Sequence, residues 1–135
     1  KIFDTCYRPI AELQVFERIS FNIGPTLFDW IMDNHSETGR QIVAQARANL
    51  ERYGVTNALA QPYHHSILPL GSYQDKVTQV RWGIADFEHR YGCKPQGMWL
   101  PEAGVDLETL AVLAECGIQF TILAPWQAAV PNASA

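Results

Sequence analysis

Apolar side chains recur at helical spacing three times along this chain, and each stripe runs on into a short block of strand-forming residues. Ile42, Val43, Ala46, Leu50 and Tyr53 fall on one face of a helix. Ser36 is placed to cap its start, and Gly54 suits the left-handed turn that closes many helices. Residues 55–60 then read as a strand. Val77, Val80, Ile84, Phe87 and Tyr91 form the second stripe, opened by Ser72-Tyr73-Gln74-Asp75, a capping box with Asp in place of the usual Glu, and stopped at Gly92. Residues 97–100 follow as a short buried strand. The third stripe, Leu107, Leu110, Ala111 and Ala114, is capped by Asp106 and ends at Gly117, and residues 118–123 make the clearest strand of all. Upstream, residues 18–23 alternate as a strand should. Gly24-Pro25 then starts a helix over 26–33, with proline where its missing N–H costs nothing.

Strands alternating with helices of this length predict an α/β fold with right-handed crossovers and parallel strands. The pattern fits a small open sheet or part of a closed barrel equally well. In both, ligands gather at the carboxyl ends of the strands. Residues 1–17 are predicted to be irregular and residues 128–135 to form a tail. No linker divides the chain, so residues 1–135 read as one domain.

Composition narrows the partners. The chain has 135 residues with 10 Lys+Arg against 14 Asp+Glu, a formal charge of −4, and no basic block to meet a nucleic-acid backbone. Hydrophobic residues make up 47%, too many for a disordered chain. No apolar run approaches the roughly 20 residues of a membrane helix. Cys6, Cys93 and Cys116 are odd in number and widely spaced, which suits three reduced thiols in a cytoplasmic protein, with no zinc spacing and no cofactor expected. A start on Lys1 rather than Met reads as a segment of a longer protein.

The strands lead into turns that carry the chemistry. Residues 61–70 contain His64 and His65, Pro101-Glu102-Ala103-Gly104 follows Leu100, and Ala124-Pro125-Trp126 follows Leu123. If the strands are parallel neighbours, His64, His65, Trp99, Glu102 and Trp126 share one rim. A carboxylate, imidazoles and flat rings suit a sugar, whose C–H faces pack on aromatics while polar groups fix its hydroxyls. Glu102 also stands just before a helix, where the macrodipole favours a carboxylate, but Asp106 is the better cap. Adjacent His64 and His65 point apart in an extended loop, so one faces the site and the other does not. His35, His89, Asp86, Glu88 and Arg90 read as solvated helix residues, and Trp30 and Trp82 as packing residues.

Gly97-Met98-Trp99-Leu100-Pro101-Glu102 resembles the nucleophile motif of glycoside hydrolase family 57, which holds α-glucan-active amylases, branching enzymes and glucanotransferases. His65-Ser66-Ile67-Leu68-Pro69-Leu70 resembles the family's second motif, and residues 18–26 and 75–83 are similar to one of its branches. The resemblance spans residues 18–127. It implies part of an incomplete (β/α)7 barrel and a retaining reaction on α-linked glucan without a metal. By the same resemblance Glu102 is the nucleophile, His65 lines the subsite that holds the sugar hydroxyls, and Trp99 lies behind the nucleophile. The family's opening His-Gln-Pro is absent, and its general acid, an Asp, has no matching position before Ala135. The segment is therefore expected to carry the nucleophile half of the site, to be inactive alone, and to self-associate through exposed sheet edges. The competing expectations are a non-catalytic sugar-binding barrel and a metal-dependent polysaccharide deacetylase using His64 or His65.

Overall fold

The computed structural model describes residues 1–128. Among these, four short parallel strands alternate with helices. They are β1 (Phe21–Asn22), β2 (Ala58–Leu59), β3 (Gly97–Met98) and β4 (Phe120–Thr121). β1 pairs with β2 through Phe21↔Ala58 and Asn22↔Leu59, and β3 with β4 through Gly97↔Phe120 and Met98↔Thr121. A parallel bridge from Ala60 to Met98 joins the two pairs: the Ala60 N–H donates to the Gly97 carbonyl at 3.1 Å and the Trp99 N–H to the Ala60 carbonyl at 2.8 Å. The spatial order is thus the chain order, with none of the reversal that defines a doubly wound sheet.

Helix α1 (Arg8–Glu12), preceded by a π-helical turn over Phe3–Tyr7, leads the chain. It is followed by α2 (Pro25–Tyr53), α3 (Tyr73–Tyr91) and α4 (Leu107–Glu115). α2 packs on α3 and α3 on α4. One face of the strands, carrying Phe21, Ala58, Ala60, Met98 and Leu100, is buried with Phe28, Ile42, Val80, Phe87, Val112 and Leu113 from the helices. The intervening positions Leu59 and Trp99 are only half-buried, and Phe120 and Ile122 are exposed. Sequential parallel strands with helices along one face are the architecture of a β/α-barrel segment.

The cap chemistry works as the sequence predicts. Ser72 and Asp75 form the reciprocal capping box of α3, Asp106 accepts from the Thr109 N–H to cap α4, and Gly54, Gly92 and Gly117 all take positive φ. The two helices expected across residues 26–53 are joined into α2. The break falls at His35 (φ −145°, ψ 51°), one residue before Ser36.

Three expectations need correction. Residues 1–17 are largely helical rather than irregular. The helix is too short to show a stripe, and it is held by burial of Phe3, Ala11 and Phe16 and by α2, whose Gln45 and Asn49 side chains donate to the Ala11 and Glu17 carbonyls. His35 is not a free surface residue, because its ring stacks on Phe3 with centroids 3.9 Å apart. Asp86 and Arg90 are not on a solvated face either. Arg90 bonds Asp86 and Asp29 while lying over the Phe28 ring, an ion pair that joins α3 to α2. Trp30 and Trp82, half-exposed, do pack as expected, edge-on against Phe3 and Tyr63 respectively.

Gly83 on α3 marks the closest approach between helix and sheet. A Cβ built there would lie 1.9 Å from the Gln61 carbonyl oxygen, a backbone atom that no side-chain rotation can move. Gly83→Ala should therefore push α3 off the sheet and cost at least about 2 kcal/mol, read as a fall in the denaturation midpoint. Lys76, buried to 2% exposure, joins α3 to α4 through Asp106 at 3.1 Å and Glu108 at 2.6 Å. Hydrogen bonding from Thr109, with Lys76 beside it, holds the Asp106 carboxyl down to about 2 from an ordinary 3.8. A depressed carboxyl stabilises the fold fully above its ordinary value, and that contribution disappears as pH falls through about 2. Unfolding curves between pH 5 and pH 2 should accordingly be less steep in pH for Asp106→Asn than for the unaltered protein.

Candidate active site

The turn after β3 is built by proline and backbone geometry. Leu100 and Pro101 are buried, anchoring the strand end. The Ala103 N–H then donates to the Leu100 carbonyl at 2.9 Å and the Gly104 N–H to the Pro101 carbonyl at 3.0 Å. Within this tight turn Glu102 (φ 55°) and Ala103 (φ 52°) both occupy the left-handed region. Such conformations cost about 1–2 kcal/mol for each residue with a Cβ and are held by their surroundings. Gly104 lets the neighbouring loop close in, since a Cβ there would meet the Ile67 methyl at 2.9 Å.

That neighbouring loop, which follows β2, delivers the imidazole. Ile67 and the Leu68–Leu70 turn abut the Glu102 turn, and His65 Nε2 lies 3.0 Å from Glu102 Oε1. With the carboxylate ionised, the Nε2–H is the donor. Both side chains remain open to solvent, so the pair is accessible to a ligand. His64 faces elsewhere. Its backbone N–H donates to Gln79 Oε1 at 2.8 Å, its Nδ1 is 3.2 Å from Gln79 Nε2, and its ring packs edge-on against Tyr63. The two histidines diverge, as adjacent residues of an extended loop must.

The tryptophans are less engaged. Trp99 continues β3 and is half-buried on the face away from the helices. Trp126 sits in the Pro125–Gln127 turn after β4 and is 86% exposed. No group of three His, Cys, Asp or Glu side chains converges as metal ligands among the described residues.

Two glutamines escaped the sequence reading. Gln79 on α3 holds the His64 backbone and also accepts the Tyr63 N–H on its own carbonyl. Gln127 in the turn after β4 donates to the Ala103 carbonyl at 2.7 Å. Neither bond could be read from periodicity, because each joins residues brought together only by strand order.

A turn with two left-handed residues bearing one carboxylate, faced by an imidazole from the adjacent strand's loop, sits at the barrel end where β/α enzymes work. The sequence model of glycosyl hydrolase family 57 matches residues 1–133. The chain belongs to glycosyl hydrolase family 57. Two relatives are similar to it across most of its length. Alpha-amylase 1 of Dictyoglomus thermophilum is 25% identical over 127 residues, 91% of this chain and 18% of that protein. The 4-alpha-glucanotransferase of Thermococcus litoralis is 23% identical over 125 residues, 90% of this chain and 18% of that protein.

The crystal structure of the Thermococcus litoralis 4-alpha-glucanotransferase superposes with a TM-score of 0.70 at 22% identity, over 90% of this chain and 19% of that one. A putative polysaccharide deacetylase from Mycobacterium smegmatis shares the fold less closely, with a TM-score of 0.55 at 18% identity over 85% of this chain and 38% of that one. The chain spans less than a fifth of the length of these two relatives. No helix among the described residues is long and apolar enough to cross a membrane.

If the left-handed turn is held by its surroundings, relieving it locally should be tolerated. Ala103→Gly removes the Cβ penalty and adds unfolded-state entropy of similar size. Stability should change by less than about 1 kcal/mol in either direction, measured by thermal or denaturant unfolding. A loss well beyond that would mean Ala103 makes packing contacts that outweigh its backbone strain.

Proposed function

We propose that residues 1–135 form part of one barrel domain and supply the nucleophile half of a retaining α-glucan hydrolase or glucanotransferase. The observation that carries this reading is the 3.0 Å contact between Glu102 and His65, each presented by the loop after its own strand. Glu102 attacks the anomeric carbon, the glycosidic oxygen departs with a proton from a second carboxyl, and a glycosyl-enzyme ester remains. Attack on that ester by water completes hydrolysis, and attack by a sugar hydroxyl completes transfer. Retention requires the two carboxyl groups to stand about 5–5.5 Å apart, and because this sequence holds no match to the family's acid motif, the acid in this reading is supplied by another part of the protein.

His65 does two things in this scheme. It holds the free Glu102 carboxylate in position, and it turns its N–H to a sugar hydroxyl once the carboxylate oxygen is committed to carbon. Trp99 and the exposed Trp126 offer ring faces to neighbouring sugar units, whereas His64, engaged with Gln79 and Tyr63, takes no part in holding the sugar. The unpaired edges at β1 and β4 are where further strands, or a second copy of an isolated segment, would pair. A cytoplasmic setting fits the odd cysteine count.

The decisive experiment uses the full-length protein and an α-1,4-linked malto-oligosaccharide. Glu102→Gln should lower kcat by at least about 10³-fold while leaving oligosaccharide binding within a few-fold. Turnover that survives the substitution would remove Glu102 from the nucleophile role. Binding without any turnover, in the unaltered protein as well, would instead favour a sugar-binding barrel.

A further inference from the structure

The carboxylate at the centre of the site owes its aim to a backbone conformation that Glu102 and Ala103 do not favour on their own. Two consecutive residues with Cβ atoms at φ 55° and 52° need an external restraint. The turn's own hydrogen bonds, from the Ala103 and Gly104 N–H groups, close it at the Leu100 and Pro101 carbonyls and leave the Ala103 carbonyl facing the next loop. Gln127 meets it there. Its Nε2 donates to the Ala103 carbonyl at 2.7 Å, and its Oε1 accepts the Ala124 N–H at 2.8 Å. One amide therefore ties the loop after β4 to the turn after β3, with donor and acceptor used in opposite directions. The Gln127 N–H also donates to the Ala124 carbonyl at 2.9 Å, which fixes the side chain's own base.

We propose that Gln127 is a positioning residue for the nucleophile: by holding the Ala103 carbonyl it keeps the left-handed Glu102-Ala103 turn formed and Glu102 aimed at the sugar beside His65. Only an amide fills this role. A glutamate accepts from Ala124 but presents an oxygen to the Ala103 carbonyl, and a methionine fills the volume without either bond. An error of about 1 Å in a reacting group can cost on the order of 10²-fold in rate, so the bond matters out of proportion to its strength.

The inference rests on Glu102 being the nucleophile, and the test separates the two. The full-length protein is incubated with a 5-fluoro-α-glucosyl fluoride, whose leaving group departs without acid assistance. The carboxyl oxygen displaces fluoride and forms an ester that mass spectrometry locates on the chain. The unaltered protein should label at Glu102. Gln127→Glu and Gln127→Met should label at the same residue about 10–100-fold more slowly, with melting temperatures close to the parent and KM for malto-oligosaccharide changed by less than about threefold. Gln127→Asn, too short to span both partners, should behave like Gln127→Met.

Labelling of Gln127→Met at the parental rate would overturn the positioning role while leaving Glu102 as nucleophile. Equal losses in labelling rate and melting temperature across all three variants would reduce Gln127 to a structural brace. Absence of any label at Glu102 in the unaltered protein would overturn the nucleophile assignment, and the positioning role with it.

Discussion

Everything that brings the candidate site together passes through Ala60. Its N–H and carbonyl are both taken by β3, at Gly97 and Trp99, and this single residue joins two otherwise separate two-stranded ladders. Because the bridge is parallel, the chain leaves both strands at the same end. The loop after β2 and the turn after β3 therefore emerge side by side, and a histidine can reach a glutamate 37 residues away in sequence. Shifting this register by one residue would turn Met98 and Leu100 out of the core and exchange the face that meets helices for the face that does not.

Much of this arrangement is legible in the sequence because it rests on local rules. Serine and aspartate at helix starts, glycine after helix ends and apolar stripes of helical period all announce α2, α3 and α4 in near-correct positions. The meeting of Glu102 with a histidine of the neighbouring loop is legible for a similar reason: Pro101 fixes the strand exit, and the parallel topology does the rest. The divergence of His64 from His65 follows from the geometry of any extended loop.

What stays hidden depends on contacts between distant segments. The N-terminal helix carries too few residues for a stripe and is held by α2, whose Gln45 donates to its Ala11 carbonyl and whose Asn49 donates to the Glu17 carbonyl of the turn that follows. Arg90 looks like a surface residue until Phe28 is placed beneath it and Asp29 beside it. The strands read as four to six residues, yet their ladders are two residues long, because alternation records which side chains are buried and not how far hydrogen bonding extends. The left-handed turn at Glu102-Ala103 has no signature in residues that are neither glycine nor asparagine.

Lys76 shows how a surface-type residue acquires an interior life. Its ammonium group is held between Asp106 and Glu108 and almost wholly shielded, although it lies in the first turn of α3 and belongs to one of the most solvent-seeking residue types. An enzyme that cleaves after lysine or acylates its side chain gains access only when α4 lifts from α3. The chemical reactivity of this one amine is thus a built-in reporter of how often those two helices part, on timescales far slower than side-chain motion.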